Sequence, residues 1–263
     1  MWKTINNGNG NYQDVGQGPT VVLIHGFSED SSVWNPQRDS LSANFRLLIP
    51  DLPGTGKSTL TEGLTIAAMA DYVYSILLAE NIKEAVVIGH SMGGYVAMAL
   101  LQQHPEVMKG LGLFHSTAAA DAEEKKETRK KSVAFIGQYG GELFTRQTIP
   151  NLFSPATKNR QPKLVEDCIT MCAKCPAESM IAYTNAMMNR PDLTGLLSSV
   201  TTPVLFVIGK DDNAVSPANV IQQVMLPKTS SVYIFEDVGH MGMWEKIEAS
   251  NLLLNQFVSF CQL

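Results

Sequence analysis

The 263-residue sequence predicts an α/β fold: a mostly parallel sheet with helices on both faces and one all-helical insertion. Three observations carry that expectation. Short apolar runs such as Thr20–Ile24, Ala85–Ile88 and Pro203–Ile208 are rich in β-branched residues and read as strands buried on both sides. Stretches with apolar residues at helical spacing alternate with them, the signature of strand–helix–strand units. From about Ala118 to Leu197 the alternation breaks: this stretch is helix-like, punctuated by Pro150, Pro155, Pro162, Pro176 and Pro191, and has no convincing strand.

In chain order, Met1–Thr20 is polar and rich in Gly and Asn, with Tyr12–Val15 as a short edge strand ended by Gly16-Gln17-Gly18-Pro19. Thr20–Ile24 leads into His25-Gly26-Phe27-Ser28. Phe45–Pro50 is the next strand and opens onto a Gly/Pro-rich loop, Asp51 to Ser58. Thr65–Glu80 is a helix. Ala85–Ile88 runs through Gly89-His90-Ser91-Met92-Gly93 into a helix that reaches His104, and Gly110–Phe114 is a further strand. Within the insertion, helices are expected at Asp121–Tyr139, Gly141–Gln147, Lys163–Lys174 and Ala177–Asn189. The strand Pro203–Ile208, a helix Pro217–Met225, the strand Ser231–Phe235 and a closing helix Trp244–Phe260 complete the chain. The division is a core of residues 1–117 and 198–263 and a lid of residues 118–197 over the carboxyl ends of the strands, where such sheets bind ligands. Peripheral helices are the alternative.

Composition excludes several classes. The net charge is -5, and the basic runs Lys125-Lys126 and Arg129-Lys130-Lys131 alternate with acids on a helix, so nucleic acid is not an expected partner. The N-terminal stretch lacks an apolar signal segment and no apolar run approaches a membrane span; a cytoplasmic monomer or homodimer is the expectation. Three of the four cysteines stand as Cys168-x-x-x-Cys172-x-x-Cys175, the spacing of an iron–sulfur signature. On a helix those positions share one face, so buried core cysteines are expected instead. Gly54-Thr55-Gly56-Lys57-Ser58 suggests a phosphate loop, but Asp51 stands where that motif needs glycine, and Pro53 removes an N–H.

The chemistry centres on Gly89-x-Ser91-x-Gly93, a strand–turn–helix nucleophile elbow. So sharp a turn brings strand end and helix start almost into contact, leaving no room for a Cβ at 89 or 93. It exposes the Ser91 hydroxyl above a helix N-terminus whose free N–H groups favour a developing anion. A serine hydroxyl needs a base, and the resulting imidazolium needs a carboxylate. Of the five histidines, His25 reads as a loop support, His90 points away from the serine, and His104 closes a helix. His115 stays in play as a substrate contact. His240, in Val238-Gly239-His240-Met241-Gly242, is the expected base, because glycines let its loop reach over the elbow. The carboxylate is expected at Gly209-Lys210-Asp211-Asp212, with Asp212 preferred and Asp211 in reserve.

The order Ser91…Asp212…His240, with His25-Gly26 and Asp51-x-Pro53-Gly54-x-Gly56-x-Ser58, resembles the α/β-hydrolase superfamily in its lidded serine esterase branch, over nearly the whole chain. The resemblance implies Asp212 as the acid, three residues after the glycine of a Gly-x-x-Asp turn. It also implies an oxyanion hole made by the N–H groups of Phe27 and Met92. The family's Gly-His-x-Pro-x-x-Glu reads Gly239 to Glu245 here, with Gly242 in place of proline, which predicts a more mobile loop. Relatives that cleave carbon–halogen bonds or epoxides carry aspartate at the nucleophile position, so Ser91 argues against both.

The expected reaction is hydrolysis of a small, largely apolar, uncharged carboxylic ester through an acyl-enzyme, with no metal or organic cofactor. Trp34, His115, Phe135, Met187 and Met241 are the expected substrate contacts. Two rivals stand beside this: carbon–carbon hydrolysis or perhydrolysis by the same triad, and a non-catalytic small-molecule receptor.

Overall fold

The computed structural model describes residues 1–263. Eight strands form one sheet: β1 (Trp2–Ile5), β2 (Gly10–Val15), β3 (Thr20–Ile24), β4 (Arg46–Asp51), β5 (Ala85–His90), β6 (Met108–Phe114), β7 (Val204–Gly209) and β8 (Ser230–Phe235), in the order β1-β2-β4-β3-β5-β6-β7-β8. Strands β3 to β8 run parallel, and the β1–β2 hairpin lies antiparallel along one edge. The central strands are buried along their whole length, as their uninterrupted apolar runs predict.

Helices cover both faces. On one, α2 (Ile66–Ala79) and α3 (Met92–Gln103) pack into an apolar cluster with Val22, Val87 and Leu111; on the other, α1 (Asn35–Leu41) and the last helix join a cluster with Val21, Val86 and Leu205. Alternate residues of one strand feed opposite clusters because successive side chains of a strand point to opposite faces. Helix α2 starts where it does because the Thr65 hydroxyl accepts from Ala68 N–H (3.0 Å).

Between β6 and β7 the chain is entirely helical: α4 (Glu123–Tyr139), α5 (Gly141–Thr148), a 3-10 turn Ile149–Leu152, α6 (Pro155–Arg160), α7 (Pro162–Cys172), α8 (Ala177–Met188) and α9 (Thr194–Leu197). Its own apolar cluster holds only Ile136, Cys175 and Met180; Phe153, Cys168 and Cys172 join one cluster of the sheet, Tyr183 and Met187 the other. The insertion is therefore held by the sheet's hydrophobic layers rather than by a core of its own. The four cysteines are buried and free, with Cys168 and Cys172 Sγ 4.0 Å apart on one face of α7.

The carboxyl-terminal part holds α10 (Pro217–Ile221), α11 (Gly242–Glu245) and α12 (Ile247–Phe260). Two sequence expectations are corrected here. The closing helix is two helices, because Lys246 leaves the helical region (φ -139°, ψ 65°). The amino-terminal stretch is a full hairpin rather than one short strand: Asn6, Asn7 and Gly8 turn it with φ of 54°, 56° and 89°. Arg46 then ties β2 to α2, its guanidinium bridging Asp14 (2.8 Å) and Glu80. No helix is long and apolar enough to cross a membrane.

Candidate active site

Register brings the chemical residues together. Ile24 and Leu113 both pair with Gly89, and Phe114 pairs with His90 and Val207, so β3, β5 and β6 end within one residue of each other and β7 runs two residues further. The residues that follow them, His25, Ser91, His115 and the Lys210–Asp212 turn, gather along that carboxyl edge.

Ser91 sits between β5 and α3 with φ 51° and ψ -117°, a conformation that costs a non-glycine residue about 1–3 kcal/mol. The surroundings enforce it. A Cβ on Gly89 would lie 2.1 Å from the Gly93 carbonyl, and one on Gly93 2.4 Å from Ile24 O. Ser91 N–H donates to Phe114 O (3.0 Å), and the Ser116 hydroxyl donates to Ser91 O (2.7 Å). Its own hydroxyl makes no hydrogen bond within the protein and lines a cavity of about 210 Å³.

His240 lines the same cavity. Its Nδ1 lies 2.8 Å from Asp212 Oδ2, while Asp212 Oδ1 accepts from Ala214 N–H (2.8 Å) and Val215 N–H (2.9 Å). A carboxylate only accepts, so Nδ1 carries the proton and Nε2 is left as the basic lone pair. Burial alone would raise the Asp212 carboxyl's pKa; the His240 imidazole, first of all, holds it well below the usual carboxylate range. His240 N–H donates to Leu152 O (2.6 Å), and buried Glu245 accepts from Gly239 N–H (2.8 Å) and Ser154 N–H (3.0 Å). The histidine loop is thus fastened to the 3-10 turn of the insertion.

Phe27 N–H makes no hydrogen bond, and Met92, the first residue of α3, has no partner for its N–H within the helix. The loop that carries Phe27 is fixed by a residue the sequence reading left out. Glu29 is buried, its Oε2 accepting from Gly26 N–H (2.6 Å) and lying 3.0 Å from His90 Nδ1. Burial would raise the Glu29 carboxyl's pKa, but the His90 charge brings it below the ordinary value; reciprocally, Glu29 raises His90 against the desolvation that would lower it. Acids at 29 and 30 in a polar loop read as solvated, and nothing local to the sequence pairs Glu29 with a histidine 61 positions away. His25 supports the neighbouring loop: its Nδ1 lies 2.8 Å from Gly26 O, and its Nε2 accepts from Leu52 N–H (3.0 Å).

The expected substrate contacts divide. Met187 lines the cavity, as do Phe27, Tyr95, Phe144, Leu152 and Val215. Phe135 stands behind Phe144, ring centroids 6.2 Å apart, and does not reach the cavity. Trp34 and Met241 are fully buried away from it; Trp34, at the end of the 3-10 turn Ser31–Trp34, packs edge-on against Phe114 at 5.7 Å. His115 lies beneath the site rather than in it, with φ 49° and Nδ1 3.5 Å from Asp212 Oδ2, too long for a well-formed hydrogen bond. Burial lowers its pKa and keeps the ring neutral, against the pull of Asp212. Gly242 does not open a loose loop: it starts α11, is buried, and a Cβ there would lie 2.3 Å from His115 Nε2. His115, Asp212 and His240 bring three metal-ligating atoms within 4.8 Å, yet every carboxylate oxygen of Asp212 already accepts a hydrogen bond.

A strained serine above a helix N-terminus, on a parallel sheet whose strand ends also bring a paired histidine and aspartate, defines a hydrolase. The chain belongs to the alpha/beta hydrolase family, whose sequence profile matches residues 21–249. Among solved structures it is similar to a thermophilic esterase from Thermogutta terrifontis, with a TM-score of 0.92 and 29% identity over 99% of this chain and 97% of that one. It is 28% identical over 264 residues to a pimeloyl-[acyl-carrier protein] methyl ester esterase of Vibrio atlanticus, covering 94% of this chain and 96% of the relative. RutD of Yersinia enterocolitica, provisionally named a carbamate hydrolase, is 27% identical over 197 residues, 73% of this chain and 70% of the relative.

Proposed function

We propose that the protein hydrolyses small carboxylic esters through an acyl-enzyme on Ser91. The observation that carries this reading is the His240–Asp212 pair at 2.8 Å in the same cavity as a serine held at φ 51°. His240 Nε2 takes the Ser91 proton as the hydroxyl attacks the ester carbonyl, and Asp212 holds the imidazolium that forms. The N–H groups of Phe27 and Met92 receive the oxyanion, each donor worth roughly 3–4 kcal/mol of barrier. His240 then protonates the leaving alcohol, and water attacks the acyl-enzyme with His240 again as base. Ser91 and His240 share no hydrogen bond in the free protein, a looseness common before substrate closes the site.

The helical insertion acts as the lid of this site. Lys125, Arg129, Phe144, Ile149, Leu152 and Met187, all from it, supply much of the cavity wall, so it sets which esters fit while the sheet edge supplies the chemistry. The similarity to esterases supports this substrate class. A panel of p-nitrophenyl esters of graded acyl length, run with a fluorophosphonate probe on the wild type and Ser91→Ala, tests it. Rapid turnover and labelling that vanish together in the variant are expected. Slow binding without turnover would favour a receptor.

A further inference from the structure

The cavity contains a charge that ester hydrolysis does not use. Lys125 of α4 lines it beside Ser91 and His240, half-buried, and its ammonium donates only to the backbone carbonyl of Ala214 (3.2 Å). It has no carboxylate partner. Arg129, one turn further along α4, also lines the cavity; its guanidinium is held by Asp121, and the buried guanidinium of Arg190 takes the same carboxylate at 2.9 Å. Arg190 in turn stacks 3.8 Å from the ring of Tyr95, another wall residue. Two guanidiniums therefore share Asp121, and Lys125 has no ion-pair partner. Asp192, near Arg190, is engaged by the N–H groups of Ala120 (3.0 Å) and Thr194 (2.9 Å). The remaining acids nearby are also committed: Glu29 to His90 and Gly26, Asp212 to His240 and its own turn.

A partly desolvated cation without an ion-pair partner is costly, and a wall that carries it concentrates anions in the space it encloses. The Lys125 ammonium bears that cost: burial lowers its pKa and the charge of Arg129 adds to the effect, against the more distant pull of Asp121 and Asp212. Resting on the esterase reading of this site, we infer that the substrate carries its own anion, a carboxylate on the acyl chain, which pairs with Lys125 while the ester carbonyl lies at Ser91. The substrate class is the half-ester of a dicarboxylic acid, not the uncharged ester that the apolar residues of the sequence suggest. Lys125, Tyr95, Ala214 and Val215 also border a second cleft of about 450 Å³, so the anion site lies where the two spaces meet.

The test pairs p-nitrophenyl hemiglutarate and hemiadipate with the neutral valerate and hexanoate, and reads the ratio of kcat/KM, anionic over neutral. The expected ratio is above 1 in the wild type. It falls about 10–100-fold in Lys125→Ala, the loss of one charge-assisted hydrogen bond, and is largely restored in Lys125→Arg. A second readout needs no turnover: glutarate binding to Ser91→Ala by calorimetry weakens at least about tenfold when Lys125→Ala is added. Neutral esters preferred by the wild type, or a ratio and glutarate affinity that ignore Lys125, overturn the anion assignment and leave the esterase reading standing. Glutarate binding that depends on Lys125 with no turnover of any ester overturns the esterase reading and keeps the anion site.

Discussion

Gly242→Ala isolates one steric relation. The new Cβ would lie 2.3 Å from His115 Nε2, 3.2 Å from its Cε1 and 3.3 Å from Val238 Cγ1. Comfortable contact needs about 3.5 Å, so the ring must retreat by roughly 1 Å. His115 is fully buried and its other nitrogen is 3.5 Å from the Asp212 carboxylate, so the retreat presses on the group that orients His240. Overpacking of this kind costs about 1–3 kcal/mol, roughly 2–12 °C in Tm for a chain of this size. Misplacing a catalytic group by about 1 Å costs on the order of 100-fold in kcat. The assay is a double-mutant cycle: Tm by calorimetry and kcat for p-nitrophenyl acetate in the wild type, Gly242→Ala, His115→Ala and the pair. With the ring gone the methyl has space, so Gly242→Ala should be nearly silent in the His115→Ala background, a coupling of about 1–2 kcal/mol. Strictly additive costs, or a single variant indistinguishable from wild type, would refute the reasoning. The proline usual at this position would meet the same ring, so Gly242 and His115 form a matched pair.

Ser91→Ala should fold normally and lose hydrolysis by about 10⁴-fold or more, read by steady-state kinetics on a native-like melt. Asp212→Asn should cost about 10³–10⁴ in kcat, whereas Asp211→Asn should cost little, since the Asp211 side chain makes no hydrogen bond; the reverse ranking would hand the role to Asp211. Met187→Ala should shift acyl-length preference, each methylene in contact being worth roughly 0.8 kcal/mol, while Phe135→Ala should leave it almost unchanged; equal shifts would put Phe135 in the wall. Glu29→Gln tests the buried pair through pH. The raised His90 contributes stability that is full below its ordinary 6.5 and is lost as pH rises through the higher folded value. The lowered Glu29 contributes stability present above its ordinary 4.5 and lost as pH falls through the lower folded value. The gap in Tm between wild type and variant should therefore be widest between about pH 4.5 and 6.5 and close towards alkaline pH; a gap independent of pH would mean that the pair is not ionised.

The sheet was legible because its parallel strands are buried on both faces and leave long apolar runs. The elbow was legible because glycine is the residue its geometry demands at 89 and 93. The β1–β2 hairpin was missed although Asn6-Asn7-Gly8 is a turn signal, since strands of alternating polar residues look like a disordered terminus. The pocket wall was read least well. Trp34 and Met241 are large and apolar, but hydrophobicity does not say whether a residue faces a cavity or the core beneath it. Glu29 and Lys125 had the opposite fate. Glu29 went unread and Lys125 was taken as one of a run of helix charges; only the packing of distant elements against them gives them partners or withholds them.

The bonds between the histidine loop and the 3-10 turn Ile149–Leu152 restrict how the cavity can breathe. Peeling the whole insertion away would break the contact from His240 N–H to Leu152 O and the Glu245 bridge to Ser154, unseating the histidine proposed as the general base. Helices α4 and α8 have no such latch to His240. They pack on each other, and they carry Lys125, Arg129 and Met187. An opening of the cavity that keeps His240 in place must therefore leave the Ile149–Ser154 segment where it is.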